Sequence, residues 1–348
     1  MDILRPQIEQ AVKPREVCGA PSFNHAERDL YLHANAPGDS CFVVANVLGD
    51  DGNTYNFLIH QGAMMPDGQG AFQTMVVMVS LTDKANRQYL HEESGFAFSA
   101  CTFAADHLAI QTPNTSLTGT LAKMTLSGQL PEGRGMIEAV LTNEGPVLDN
   151  CTNGYFCCMN DLVTFNHYGL PYLKATGTIT LDGKTIPFAG DAWLDRQWSS
   201  GNLPLLMAEH KVQTKWMDLN LSNGYKVSLW DILIHDGKEN AWATILSPDG
   251  VYTVAPMTPL AQYESDYWQS PQTGNCYATK YIVELPALQS RLQVQVYEGI
   301  PHQEAVSVTG YHRYEAHSTC VGTFMGQAVT GFCCVELVGN FQEPGASE

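Results

Sequence analysis

Residues 176–188, Thr-Gly-Thr-Ile-Thr-Leu-Asp-Gly-Lys-Thr-Ile-Pro-Phe, decide the fold class. Two β-favouring runs flank Asp182-Gly183, a pair whose backbone accepts the left-handed conformation of a tight hairpin turn. The same grammar extends outward in both directions. Upstream, Cys41 to Leu48, the turn Asp50-Asp51-Gly52-Asn53 and Thr54 to His60 read as a hairpin, with Tyr55, Phe57 and Ile59 alternating. Downstream, Trp216 to Leu221 turns at Asn223-Gly224 into Tyr225 to Ile234, which stops at Asp236-Gly237. Tyr281 to Leu285, Leu292 to Val296 and Gly331 to Val338 read the same way. Helical periodicity is confined to Ile3 to Val12 and a turn over Ala104 to Leu108. The chain is therefore expected to be all-β, its many strands closing into barrels or sandwiches that protect their edges.

A length of 348 residues suits two domains, each large enough to bury a core. The stretch Ser199-Ser200-Gly201-Asn202-Leu203-Pro204 is the best linker signal, giving expected domains over 1–203 and 204–348 as variants of one β unit. Eighteen Lys and Arg against 36 Asp and Glu leave a net charge of −18, which argues against nucleic acid or an anionic membrane surface as partner. No apolar run approaches the ~20 residues of a membrane span, and the first residues lack the order of a secretory signal. A cytoplasmic location is the expectation. The ten cysteines form no Cys-x-x-Cys pair, and Cys157-Cys158 and Cys333-Cys334 sit in strand-like runs that point neighbours to opposite faces. No metal site and no cofactor is expected. Gly183-Lys184-Thr185 imitates the tail of a phosphate loop, but in a hairpin, and sequons at Asn114, Asn150 and Asn220 carry little weight.

The chemistry concentrates in residues 190–201, Gly-Asp-Ala-Trp-Leu-Asp-Arg-Gln-Trp-Ser-Ser-Gly. Alternation along a strand puts Trp193 and Asp195 on one face, Leu194 and Arg196 on the other. Buried beside aromatic rings, Asp195 would have its charged form disfavoured and would serve as a proton donor. Paired with Arg196 or with backbone N–H groups, it would stay ionised and hold the strand end.

These residues belong to a wider pattern. Gly190, Ala192, Trp193, Asp195 and Trp198 form a Gly-x-Ala-aromatic-x-Asp-x-x-Trp strand, preceded by Tyr168, Pro171, Gly177 and Asp182-Gly183. Downstream come Trp216-Met217-Asp218, Asn223-Gly224, residues 268–274 with Tyr277, then Gln303-Glu304, Tyr314-Glu315 and residues 335–339. In this order they resemble the lipocalin-like hydratase family of carotenoid 1,2-hydratases (hydroxyneurosporene synthases), kievitone hydratase and AttH-type proteins, with fungal lipocalin-like Diels-Alderases more distant. Gln197 and Ala316 depart from the family's usual Glu and Gly.

The resemblance implies two tandem lipocalin-like β-barrel or β-sandwich domains with an apolar cavity near their interface. It implies a cofactor-independent hydro-lyase acting on a double bond of an apolar isoprenoid-like or prenylated molecule. Asp195 is the candidate acid, and His167, with Tyr168 as hydrogen-bonding neighbour, is the candidate for orienting or deprotonating the water. Trp193 and Trp198 are expected to face the cation, with Trp216, Tyr314 and Glu315 as further substrate contacts. A cyclase or isomerase, such as a pericyclase, and a non-catalytic carrier remain open beside the hydratase, because fold alone does not decide among them.

Overall fold

The computed structural model describes residues 26–27, 29–33, 36–64, 74–151, 153–158, 163–199, 212–234, 238–307 and 312–342. Antiparallel strands dominate them. The chain divides into two compact units, with described residues 26–199 in the first and 212–342 in the second. The helix expected over Ile3 to Val12 and most of the linker, residues 200–204, lie outside the described residues.

The first unit opens with a meander of β1 (Gly38–Gly49), β2 (Thr54–Met64), β3 (Thr74–Asp83) and β4 (Gln88–Ala97). Short strands follow: β5 (Thr102–Phe103), β6 (Leu108–Gln111), β7 (Thr115–Gly119), β8 (Lys123–Leu130), β9 (Gly135–Asn143), β10 (Leu148–Asp149) and β11 (Tyr155–Cys158). A long hairpin, β12 (Val163–Leu181) and β13 (Lys184–Ser199), completes it. The hairpin returns β13 beside β1, giving the order β4-β3-β2-β1-β13-β12-β9-β8-β7-β6-β5, with β10 and β11 also on β12.

The second unit contains β14 (Val212–Leu221), β15 (Lys226–Ile234), β16 (Lys238–Leu246), β17 (Tyr252–Pro256) and β18 (Ser265–Gln269). It continues with β19 (Cys276–Leu285), β20 (Ser290–Val296), β21 (Glu304–Ala305), β22 (Arg313–Phe324) and β23 (Gln327–Val338). Its order, β17-β16-β15-β14-β23-β22-β20-β19-β18, repeats the plan of a four-strand meander whose first strand takes the last strand of the unit as its second neighbour. Two glycines mark the correspondence. A Cβ at Gly190 would meet Asn46 O at 2.3 Å, and one at Gly331 would meet Asn220 O at 2.3 Å, so each lets the last strand press onto the first.

Turn chemistry places the hairpins. Asp182 and Gly183 both have positive φ, 50° and 81°, as a two-residue loop between twisted strands requires. The β12–β13 ladder then runs regularly to Leu173 opposite Ala192, slips by one residue at Pro171 and Tyr172, and resumes at Leu170 opposite Leu194. A proline has no N–H to give a ladder, so a bulge suits it. The helical turn expected over Ala104 to Leu108 is absent. Leu108 instead opens β6, where Leu108 and Ile110 alternate into the core, and a period of two fits that burial better than a helical turn.

The core of the first unit gathers Val43, Ala45, Phe57, Ile59, Val77, Val79, Ala192 and Leu194. The opposite face of the same strands is buried as well: Phe42, Val44, Leu58, Met78 and Trp193 are at most 6% exposed. Asp195 stands on that second face.

Candidate active site

Asp195 lies on β13 between Phe42 of β1 and Gly169 of β12. The indole N–H of Trp193 donates to Asp195 Oδ1 at 2.6 Å. His167 Nε2 approaches Asp195 Oδ2 at 3.1 Å. The other ring nitrogen is also engaged, because the Asn150 amide N–H donates to His167 Nδ1 at 2.8 Å. That bond assigns the lone pair to Nδ1 and the ring hydrogen to Nε2, facing the carboxyl.

The loop after β10 fixes this imidazole. Asn150 N–H donates to His167 O, Gly154 N–H to Asn150 O, and His167 N–H to Gly154 O, while Phe156 lies against the ring with centroids 6.2 Å apart. His167 is fully buried and Asp195 is 7% exposed. The arrangement is a line of polar groups, Asn150, His167, Asp195 and Trp193, of which Asp195 is the most exposed.

Gly169 makes the line possible. A Cβ there would stand 2.8 Å from Asp195 Oδ1 and 3.0 Å from Trp193 Nε1, closer than packed atoms tolerate. Gly169→Ala is expected to displace the carboxyl and lower turnover by about 10²-fold, the cost of a reacting group moved by about an ångström. Steady-state kinetics beside a thermal melt checks this, the melting temperature moving little.

Arg196 is not the partner of Asp195. It points to the core face, where Nη1 lies 2.5 Å from Asp39 Oδ1 and Nη2 donates to Asp39 Oδ2 at 2.8 Å. Its remaining N–H groups serve the carbonyls of Leu30, Tyr31, Ser40 and Gln197. Burial alone would raise the Asp39 carboxyl, but the Arg196 charge with hydrogen bonds from His33 and Arg196 outweighs it and holds Asp39 below its ordinary range.

Two sequence expectations are corrected by the pleat. Trp198 shares the Arg196 face: it stacks on His33 at 4.1 Å between centroids, and Arg196 Cζ lies 5.5 Å from its ring centroid. Tyr168 is there too, packed edge-on against Trp198, with its hydroxyl donating to Ala26 O at 3.3 Å. Neither reaches the face of Asp195. Asn150, Gly169 and Phe42 take part instead, and only Asn150 had drawn notice in the sequence, as a sequon.

In the second unit, Trp216 on β14 is aligned with Glu336 of β23, which is aligned with Glu315 of β22, so Trp216 and Glu315 share a face. Trp216 Nε1 donates to Ser228 Oγ at 3.0 Å, and Glu315 is fully buried. Tyr314 is on the other face, stacked on Tyr277 at 4.6 Å, its hydroxyl donating to Pro301 O at 2.7 Å. Glu304 beside it accepts from Thr273 Oγ1 at 2.6 Å, Tyr277 OH at 2.8 Å and Ser270 Oγ. The motif over residues 268–274 is thus pinned to β21 by one buried carboxylate. Among the described residues, no group of three or more His, Cys, Asp or Glu could hold a metal ion, and no helix is long and apolar enough to cross a membrane.

Comparison with known proteins places this architecture. The model of the AttH-like family matches residues 24–340. The chain belongs to the AttH-like family. Among solved structures, this AttH-like protein is similar to an AttH protein of Nitrosomonas europaea, with 19% identity, a TM-score of 0.77 and coverage of 93% of this chain and 99% of that one. It is also similar to kievitone hydratase of Nectria haematococca, with 18% identity, a TM-score of 0.74 and coverage of 95% and 97%. At such identities the likeness is one of fold, the lipocalin-like two-domain all-β architecture. No protein of curated function matches the AttH-like chain in sequence.

Proposed function

We propose that this AttH-like protein is a cofactor-independent hydro-lyase that adds water to, or removes it from, a trisubstituted double bond of an apolar, isoprenoid-like or prenylated molecule. One observation carries the reading: the buried Asp195 carboxyl is held by Trp193 and His167 while the adjacent Arg196 is spent on Asp39. The fold shared with kievitone hydratase supports it.

The Asp195 carboxyl delivers a proton to the less substituted alkene carbon, and the carboxylate it leaves faces the N–H groups of Trp193 and His167. The π electrons form the new C–H bond and leave a tertiary cation on the other carbon. Trp193 and Phe42 supply aromatic faces beside it, each worth roughly 0.5–2 kcal/mol where well placed. A water oxygen then bonds to the cation and surrenders one proton to the carboxylate, which restores the acid. His167, whose Nδ1 is taken by Asn150 and whose Nε2 lies 3.1 Å from Asp195 Oδ2, acts here to orient and stabilise the Asp195 carboxylate and not as a base toward water, which revises the role expected for it.

Reaction in ¹⁸O-labelled water is expected to place solvent oxygen in the product at the tertiary carbon, read by mass spectrometry. A product of unchanged mass would assign the site to isomerisation or cyclisation, and uptake without change in mass or spectrum would make the protein a carrier.

A further inference from the structure

The row of side chains that carries Asp195 runs straight across the sheet. Asp195 of β13 is aligned with Phe42 of β1, Phe42 with His60 of β2, His60 with Met78 of β3 and Met78 with Glu93 of β4. Along β2 this face is closed at Asn56 and Leu58, 1% and 0% exposed, and begins to open at His60, where 8% remains in contact with solvent. The next row, Gln197, Ser40 and Gly62, is more open: Gln197 and Ser40 are half-buried, and Gly62 adds no side chain.

Gly62 leaves a gap against the imidazole. A Cβ built there would lie 3.5 Å from both Cε1 and Nε2 of His60 and 3.7 Å from Val76 O, ordinary van der Waals distances with nothing nearer. The Nε2 edge of the ring therefore borders a space that a methyl group would fit, and a water molecule is smaller than a methyl group. Val76 O beside it gives such a water a second polar neighbour. Phe42 holds the ring from another side, with centroids 5.7 Å apart and planes at 62°. Because Phe42 is aligned with His60 and Ser40 with Gly62, Gly62 is the diagonal neighbour of Phe42, so the gap lies beside the ring over which the tertiary cation forms.

Resting on the hydro-lyase reading, we propose that His60 is a second catalytic residue, whose Nε2 holds the attacking water in the gap beside Gly62. The water donates one O–H to Nε2 and turns an oxygen lone pair toward the tertiary carbon over Phe42. As the C–O bond forms, that O–H bond breaks, its electron pair stays on the oxygen of the new alcohol, and its proton passes to the imidazole. Solvent at the open row then relays a proton from His60 to the Asp195 carboxylate. One proton goes to carbon and one is regained from water, so the acid and the imidazole both end as they began. Asp195 and His60 stand two inter-strand steps apart, roughly 10 Å at Cα, which keeps acid and water on either side of Phe42.

The test reads the fate of the cation. The probe is 2,6-dimethyl-2-octene, which has one trisubstituted double bond, incubated with the full chain in D₂O. A cation captured by water becomes a tertiary alcohol, and one that loses a proton instead becomes an alkene carrying deuterium; mass spectrometry counts both at early times. The wild type is expected to form mainly the alcohol. His60→Leu is expected to lower the ratio of alcohol to deuterated alkene at least about tenfold, while deuterated alkene forms at no less than about a third of its former rate, because Asp195 still protonates the double bond. A merely structural loss lowers both products together and leaves the ratio where it was. Gly62→Ala keeps the imidazole but sets a methyl group 3.5 Å from Nε2. It is expected to lower the same ratio about threefold by displacing the water, and it carries the test should His60→Leu fail to fold. A ratio unchanged in either variant overturns the role of His60 and leaves the hydro-lyase reading standing. A wild type that forms no alcohol overturns the hydro-lyase reading, and the proposal with it.

Discussion

Asp195→Asn is expected to abolish turnover, lowering kcat by about 10³-fold or more, within the range a positioned general acid supplies, while the Kd for an apolar ligand is expected to stay within about threefold. The amide keeps the shape of the carboxyl and one oxygen for the Trp193 N–H, which donates to Oδ1 in the wild type. It has no acidic proton to give. It also turns an N–H₂ group toward His167 Nε2, where Oδ2 stood at 3.1 Å, so the imidazole must change its tautomer or shift. Stopped-time assays for kcat, with binding measured separately, distinguish loss of the proton from loss of the site. A variant that retained wild-type turnover would remove Asp195 as the acid.

The second large effect concerns stability. Arg196→Met is expected to destabilise the protein by about 3–5 kcal/mol, because it strands a buried carboxylate without its counter-charge. Asp39 and Arg196 are both fully buried as side chains, and the guanidinium also collects carbonyls from Leu30, Tyr31, Ser40 and Gln197. Denaturant titration should show the loss in the midpoint with little change in slope. Adding Asp39→Asn should recover part of it, since the double variant leaves no unpaired charge. The pH dependence follows from the sign of the Asp39 shift. Its carboxyl is held below its unfolded value, so the pair's contribution is present at neutral pH and is lost as pH falls below about 4 toward the depressed value. Arg196→Met should flatten that acid limb.

Much of this was readable locally. Asp182-Gly183 and Asn223-Gly224 announce their hairpins because the backbone demands of a tight turn are met within the turn itself. Alternation along one strand was enough to part Asp195 from Arg196. The same rule parts Trp198 from Asp195; proximity along the chain suggested two indoles around the carboxyl, and the pleat allows one. What the sequence withheld depends on pairing between distant segments. Asn150 reads as a sequon until the Asn150–Gly154 loop folds over His167, and nothing near Gly169 announces that Asp195 and Trp193 occupy the space of its missing side chain. Burial of β1 to β3 on both faces was equally hidden, since Phe42, Val44 and Leu58 read as the weaker half of an alternating pattern.

The slip in the β12–β13 ladder at Pro171 and Tyr172 sets the identity of the group beneath the carboxyl. Counting back from the Asp182-Gly183 turn without it, Tyr168 would come opposite Gln197, and His167 would come opposite Trp198 and turn toward Arg196. One supernumerary amino acid therefore acts as a half-period phase shift, sorting imidazole and phenol to opposite sides of a single strand. A descendant that lost it would trade an imidazole for a phenol beside the Asp195 carboxyl with both side chains still in the sequence.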